Sequence, residues 1–368
     1  MKVLETWVEQ ITDEDTSIND LCFRPDGSQL IVAAGNKVLV FDPLDGKLIK
    51  GLAGHKETVY CLSYAKDGSL FASGGADKTV IIWTTELEGI LRFQHNEAIQ
   101  GLAFNPVTNV LVTCAVSDFG LWSSKEKYVP KTKVFSRITC CAWSSDGQYL
   151  ALGFFNGTVQ IRDKNGDEKL KIERPDAANS PVWCVEWTKT KSSADILAVA
   201  DWSQKLSFYH ITGKQAYKDR KLGYDVTQLS WNPETEYLIV TGSNRQCTIY
   251  TNEGVKLNTL CEKDSWILCA KQKPSSNFLA VGSQGGHIIM FQLVISTVHG
   301  LYKEKYAYRE SMTDVIIHNL ITEVKVRIKC KDLKKLFLTS NKQIICLTAS
   351  LSLGSKKSDQ ICFEMIEG

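Results

Sequence analysis

One strand-ending position recurs seven times in the first 300 residues, at steps of roughly 39–44, and few folds accommodate that period. The positions are Phe23, Tyr64, Phe104, Trp143, Trp187, Trp231 and, with the aromatic lost, Gln272. Proline follows two residues after four of them, at Pro25, Pro106, Pro233 and Pro274, and three precede a PDG, KDG or SDG turn. Between markers lie short apolar runs split by tight turns, with no room for a helix. A unit of this kind cannot bury its apolar faces alone, whereas packing several radially as four-stranded blades does. The expected fold is all-β: a seven-bladed β-propeller over residues 1–310, with the strand near Val3–Val8 completing the last blade. The run "HGLYKEKYAYR" from His299 is the alternative outer strand.

Length does not force two domains, because the 368 residues fit a closed repeat array in which each unit meets mainly its neighbours. The 43% hydrophobic and 23% charged content is that of a globular protein. A net charge of +2 gives no electrostatic argument for nucleic acid or a membrane surface. Positive charge is biased to the tail, with 31 basic against 33 acidic residues up to Gly300 and 12 against 8 beyond it. The twelve cysteines include no CxxC pair, and Cys22, Cys61, Cys140, Cys184 and Cys269 sit inside apolar strand runs as small hydrophobes. That usage fits a reduced intracellular compartment. The acidic N-terminus "MKVLETWVEQITDED" has neither a signal-peptide core nor an anchor, and no apolar run approaches the roughly 20 residues that span a bilayer. We therefore expect a soluble chain without direct membrane insertion. The six histidines form no HExxH or HxH, so neither metal nor cofactor is expected.

The second unit is the clearest. After Gly54-His55 comes "ETVYCLSYAKDG", apolar on both faces as an inner strand requires, then "SLFASGGADKTVIIW", a strand, a tight turn and a β-branched strand ending at Trp83. These residues resemble the WD-repeat family: Gly54-His55 stands at its GH dipeptide, and Trp83-Thr84 at its WD dipeptide with threonine for aspartate. The resemblance implies a buried hydrogen-bond chain across the blade made by His55, Ser73, Asp77 and Trp83. The third unit offers His95, Asp118 and Trp122, with Cys114 in the serine position. Strands ending at Asp163, His210, Thr251 and Leu293 continue the pattern with less of the motif.

Ser73, Asp77 and His55 are also the residue types of a hydrolase triad. No GxSxG elbow surrounds any serine and no oxyanion-hole signature accompanies them, so no catalytic residues and no enzyme activity are expected. "SGGADKT" lacks the GxxxxGK[ST] spacing of a phosphate loop and reads as a hairpin turn. Trp7, Trp183, Trp202 and Trp266 lie outside the WD position. Trp183 and Trp266, in the predicted innermost strands, are expected to pack between blades, while Asp201-Trp202, at a turn, is the candidate partner-binding pair. The polar run Lys171–Trp183 is either a partner-binding loop or a passive linker.

After Leu293 the period stops, and "HGLYKEKYAYRESMTDVI" follows. With Tyr64–Trp83, Asp146–Pro175 and Ile196–Gln215, this stretch closely resembles the WD-repeat subunits of the intraflagellar transport A complex, over about Val3–Leu336. The resemblance implies a scaffold in retrograde intraciliary transport, cilium assembly and ciliary protein targeting, at the cilium, the ciliary basal body and the cytoplasm or cytoskeleton. It also implies protein partners, namely other subunits of that complex and ciliary cargo or its adaptors, with no nucleic acid. A WD-repeat adaptor of a vesicle coat or a ubiquitin ligase is the alternative. Residues 311–368 read as the incomplete start of a second propeller, loosely packed or disordered, with Val315–Leu320 and Val324–Ile328 as residual strand or hairpin. The end, from about Leu347, departs from what the family's second propeller leads one to expect.

Overall fold

The computed structural model describes residues 2–11, 16–124, 129–174, 179–188, 195–232, 236–294, 299–302, 305–309, 314–319, 321–329, 333–338, 344–349 and 361–366. Among them every regular element is a strand. The periodic markers fall at the ends of seven inner strands: Ile18–Phe23, Val59–Tyr64, Ile99–Phe104, Ile138–Trp143, Val182–Thr188, Val226–Asn232 and Ile267–Gln272. Each opens a four-stranded antiparallel sheet, and together these are the seven blades of a propeller. Blade two, for example, runs outward through Leu70–Gly75 and Thr79–Thr84 to Gly89–Gln94.

Blade seven takes its outer strand, Lys2–Gln10, from the opposite end of the propeller, where it pairs with His287–Val294. Thr6 Oγ1 donates to the Met290 carbonyl at 2.9 Å, and Ile11 N to that of Gly286 at 3.0 Å, so the ring is closed by hydrogen bonds within one sheet. With that edge occupied, His299–Tyr302 pairs instead with Lys305–Arg309, and the latter with Asp314–Asn319. The compact propeller unit is accordingly Val3–Leu293, and the division falls at Val294, not at the 310/311 boundary expected from the sequence. The second unit contains one four-stranded sheet, ending in Lys325–Lys329, and one three-stranded sheet of Leu333–Leu338, Ile344–Ala349 and Ile361–Ile366. It holds more strand than the hairpin expected there, because "LKKLFL", "IICLTA" and "ICFEMI" pair with one another.

The core lies between blades. One cluster joins Ile31, Val38 and Leu52 of blade one to Leu62, Phe71 and Trp83 of blade two, and equivalent clusters join blades four to five and five to six. This is why the inner strands are apolar on both faces. Each fully buried Leu, Ile or Phe contributes about 1.5–3 kcal/mol relative to exposure.

Every blade carries the same irregularity. Pairing of the first two strands slips between Ile18 and Asp20, Val59 and Cys61, Ile99 and Gly101, Ile138 and Cys140, Val182 and Cys184, Val226 and Gln228, and Ile267 and Cys269. The residues left out of register are Asn19, Tyr60, Gln100, Thr139, Trp183, Thr227 and Leu268, and all seven line a central cavity of about 1050 Å³. A bulge re-aims a side chain; here it does so at one level around the ring.

Candidate interaction surface

The hydrogen-bond chain of blade two is continuous. Trp83 Nε1 donates to Ser73 Oγ at 2.8 Å, the Ser73 hydroxyl donates to His55 Nε2 at 2.8 Å, and His55 Nδ1 donates to the Asp77 carboxylate at 3.1 Å. Backbone N–H groups of Lys56 and Thr79 complete the carboxylate's shell at 3.0 and 3.1 Å. The order suits a neutral imidazole protonated on Nδ1, whose bare Nε2 gives the buried Ser73 hydroxyl proton an acceptor. Burial holds the His55 pKa below 6.5 despite the neighbouring Asp77, and burial beside Asp118 does the same for His95. For Asp77 burial alone would raise the pKa, but the bonds from Lys56, His55 and Thr79 together lower it. Ser73 is fully buried and its oxygen is engaged on both sides, an arrangement that ties the blade together and leaves no nucleophile facing solvent.

This arrangement gives a pH dependence. The unfolded chain takes up protons on these histidines near pH 6.5, before the folded chain does, so stability falls as pH drops from about 7 toward 5.5 and is flat above. The contribution of Asp77 is lost only below its ordinary value of 3.8. Asp20 and Glu186, both raised by burial, act in the opposite sense. Thermal unfolding at pH 7.5 and 5.5 should give the lower melting temperature at 5.5; equal values would contradict the neutral-histidine assignment. Asp77→Ala should lower the melting temperature at both.

In blade three the hydroxyl partner is Thr113, not the expected Cys114: His95 Nε2 lies 2.9 Å from Thr113 Oγ1, and Nδ1 lies 2.5 Å from Asp118. Neighbouring strand residues face opposite ways, so a displacement of one residue exchanges the two. Blade five replaces histidine with arginine. Arg174 donates to the carboxylate of Asp201, to Ser207 Oγ at 3.2 Å and to Tyr209 Oη at 3.2 Å. Asp201 is therefore corrected as a partner-binding candidate: at 1% exposure it is buried against Arg174. Its free oxygen accepts from Ser203 N at 2.8 Å and Ser203 Oγ at 2.5 Å, building the turn that presents Trp202. In the run Lys171–Trp183, residues 175–178 lie outside the described residues, and its two ends belong to strands Glu168–Ile172 and Val182–Thr188.

Trp202 is 48% exposed, and two residues expected to lie between blades join it at the surface: Trp183 at 37% and Trp266 at 46%. All three line the mouth of the central cavity with Tyr60 and Arg137. Trp183 and Trp202 pack at a tilt of 31° with ring centroids 5.1 Å apart, Phe155 meets Trp202 edge-on at 5.9 Å, and the Arg137 guanidinium lies 5.8 Å from the Phe155 centroid. Trp7 has a different role, donating to the Pro43 carbonyl at 3.1 Å where blade seven meets blade one.

The bulge positions show why this cluster stands out. Asn19 Nδ2 donates to the Val59 carbonyl at 2.9 Å, Thr139 Oγ1 to that of Val182 at 2.5 Å, and Thr227 Oγ1 to that of Ile267 at 2.6 Å. Each of these bonds locks one blade to the next. Gln100 bonds Arg137 of the following blade at 3.1 Å. Tyr60 and Trp183 spend the same position on an exposed aromatic ring. The channel below is clasped by Asp20, which accepts from Leu62 N and from Gln228 Nε2, both at 2.9 Å, and so connects blades one, two and six. Among the described residues no cluster of side chains could hold a metal ion, and no helix is long and apolar enough to cross a membrane.

A family model described as the first β-propeller of IFT122 matches residues 17–292, and one described as its second β-propeller matches residues 299–361. Intraflagellar transport protein 122 homolog of Xenopus tropicalis is 54% identical over 98% of this chain and 31% of its own length. The Danio rerio homolog is 57% identical over 91% and 29%, and the human one 45% identical over 98% and 34%. The chain spans about a third of the length of these relatives, and it belongs to the intraflagellar transport protein 122 family.

Proposed function

We propose that this chain is a non-enzymatic scaffold of the intraflagellar transport A complex, serving retrograde intraciliary transport, cilium assembly and ciliary protein targeting. Its partners are other subunits of that complex and cargo or cargo adaptors, met at the cilium and basal body. The names of the relatives support the pathway. One observation carries the mode of action: the rim of Trp183, Trp202 and Phe155 leaves aromatic surface in water at a bulge level that other blades use to lock the ring. Rigid aromatic rings around a preformed concavity bind at low entropic cost, and this is how a propeller acts without bond chemistry.

Affinity purification of the tagged chain from ciliated cells tests the reading, with Trp202→Ala in parallel. Other transport A subunits should be recovered with the parent chain and depleted with the variant. Recovery of coat or ubiquitin-ligase components instead would overturn the pathway, and equal recovery with both chains would overturn the rim.

A further inference from the structure

The outer hairpin of blade six places two thiols opposite each other. Cys247, on the third strand Gln246–Thr251, is the register partner of Cys261, on the edge strand Lys256–Glu262. Directly opposed residues of an antiparallel pair have Cα atoms about 4.5–5.5 Å apart, inside the range of about 4.4–6.8 Å that a disulfide requires. The register slips by one residue immediately beyond the pair, where Thr248 faces Thr259, and a slip of this kind gives the edge strand local latitude to adjust. Both thiols are free; Cys247 is fully buried and Cys261 partly exposed. Their surroundings differ in kind. The thiol of Cys261 is held below its ordinary pKa by its contact with Cys247, with Lys263 assisting, whereas Cys247 is held well above. The other buried thiols, such as Cys22, Cys61, Cys184 and Cys269, sit deep in the blades with pKa values raised by burial.

We propose that Cys247 and Cys261 form a reversible oxidative modification site, in which a hydroperoxide is the oxidant and the product is a cross-strand disulfide. The Cys261 thiolate attacks the peroxide; an S–O bond forms, the O–O bond breaks, and the leaving oxygen departs as an alcohol or water after taking a proton. Sulfur has then lost two electrons to the peroxide and is a sulfenic acid. Cys247 sulfur attacks the sulfenic sulfur, the S–S bond forms, the S–O bond breaks, and hydroxide leaves with the Cys247 proton as water. An external dithiol reverses the reaction by exchange at Cys261, the more accessible of the two. The disulfide fastens the edge strand to the strand inside it, on the blade next to the one closed by Lys2–Gln10.

The test uses the whole chain, exposed to graded hydrogen peroxide, alkylated under denaturing conditions, digested and analysed without reduction. The expected result is a linked peptide pair joining Cys247 to Cys261, with alkylation of the two lost one for one and restored by dithiothreitol, while Cys22, Cys61, Cys184 and Cys269 stay alkylatable. In Cys247→Ala, Cys261 should stop at a dimedone-reactive sulfenic acid. Oxidation of Cys261 without linkage in the parent chain would overturn the pairing. Cys261 oxidising no faster than the buried thiols would overturn the site.

Discussion

Arg174→Ala is expected to destabilise the propeller by about 3–5 kcal/mol, the cost of leaving a buried carboxylate without its counter-charge. The side chains of Arg174 and Asp201 are 3% and 0% exposed, so water cannot take over the lost bond. Ser207 and Tyr209 lose a donor at the same time. Asp77→Ala should cost less, about 1–3 kcal/mol, because it leaves a neutral histidine short of a partner, not a stranded charge. Adding Asp201→Asn to Arg174→Ala should recover much of the loss, since the two residues act as one unit. Chemical denaturation of the four chains measures this. A loss under about 1 kcal/mol for Arg174→Ala, with no recovery in the double variant, would show that the pair is not a buried ionic bond. Because Asp201 also caps the turn at Ser203, the single variant should disorder Trp202 as well, and its indole should become more accessible to a fluorescence quencher.

How far the sequence could be read follows from what each residue must satisfy. The markers were legible because the end of an inner strand must fill the seam to the preceding blade: Trp143 Nε1 reaches the Ala103 carbonyl at 3.1 Å and Trp187 Nε1 that of Ala142 at 3.2 Å. Where the aromatic is lost, Gln272 receives a hydrogen bond from Tyr237 Oη at 2.5 Å and the seam survives. Phase within a strand was not legible. Simple alternation places Trp183 between blades and Cys114 opposite His95, yet a bulge adds one residue to the first count, and the hydroxyl of Thr113 decides the second. Nothing in the order of residues announces a bulge, because the extra position is filled by Asn, Tyr, Gln, Thr, Trp and Leu alike. Arg174 was missed for a different reason. A search for histidine-led networks passes over an arginine that meets its aspartate 27 residues later, although Asp201 at a strand end could have prompted a search for a buried cation. The edge of blade seven is filled by Lys2–Gln10, the strand expected near Val3–Val8, and "KYAYR" pairs in the next sheet and not as the alternative outer strand.

Combining Trp183→Ala with Trp202→Ala is expected to abolish partner capture while leaving the fold almost untouched. Each indole, as an anchor at the centre of an interface, is worth 2 kcal/mol or more, about 30-fold in affinity. Their rings touch, so the double variant should lose less than the product of the single losses but still about 100-fold. The cost in stability should stay within about 1 kcal/mol, since both rings already face water and neither carries an inter-blade bond of the kind made by Asn19, Thr139 and Thr227. Titration of the partner recovered from ciliated cells against parent, single and double variants measures affinity, and parallel melts measure stability. Leu44→Ala is the control for loss of exposed apolar surface: Leu44 is 75% exposed on an outer turn of blade one, away from the channel mouth, and its removal should change neither quantity. A double variant that melts as low as Arg174→Ala would show the two tryptophans to be part of the blade's structure. One that melts like the parent and still binds like it would remove the aromatic rim as the contact surface.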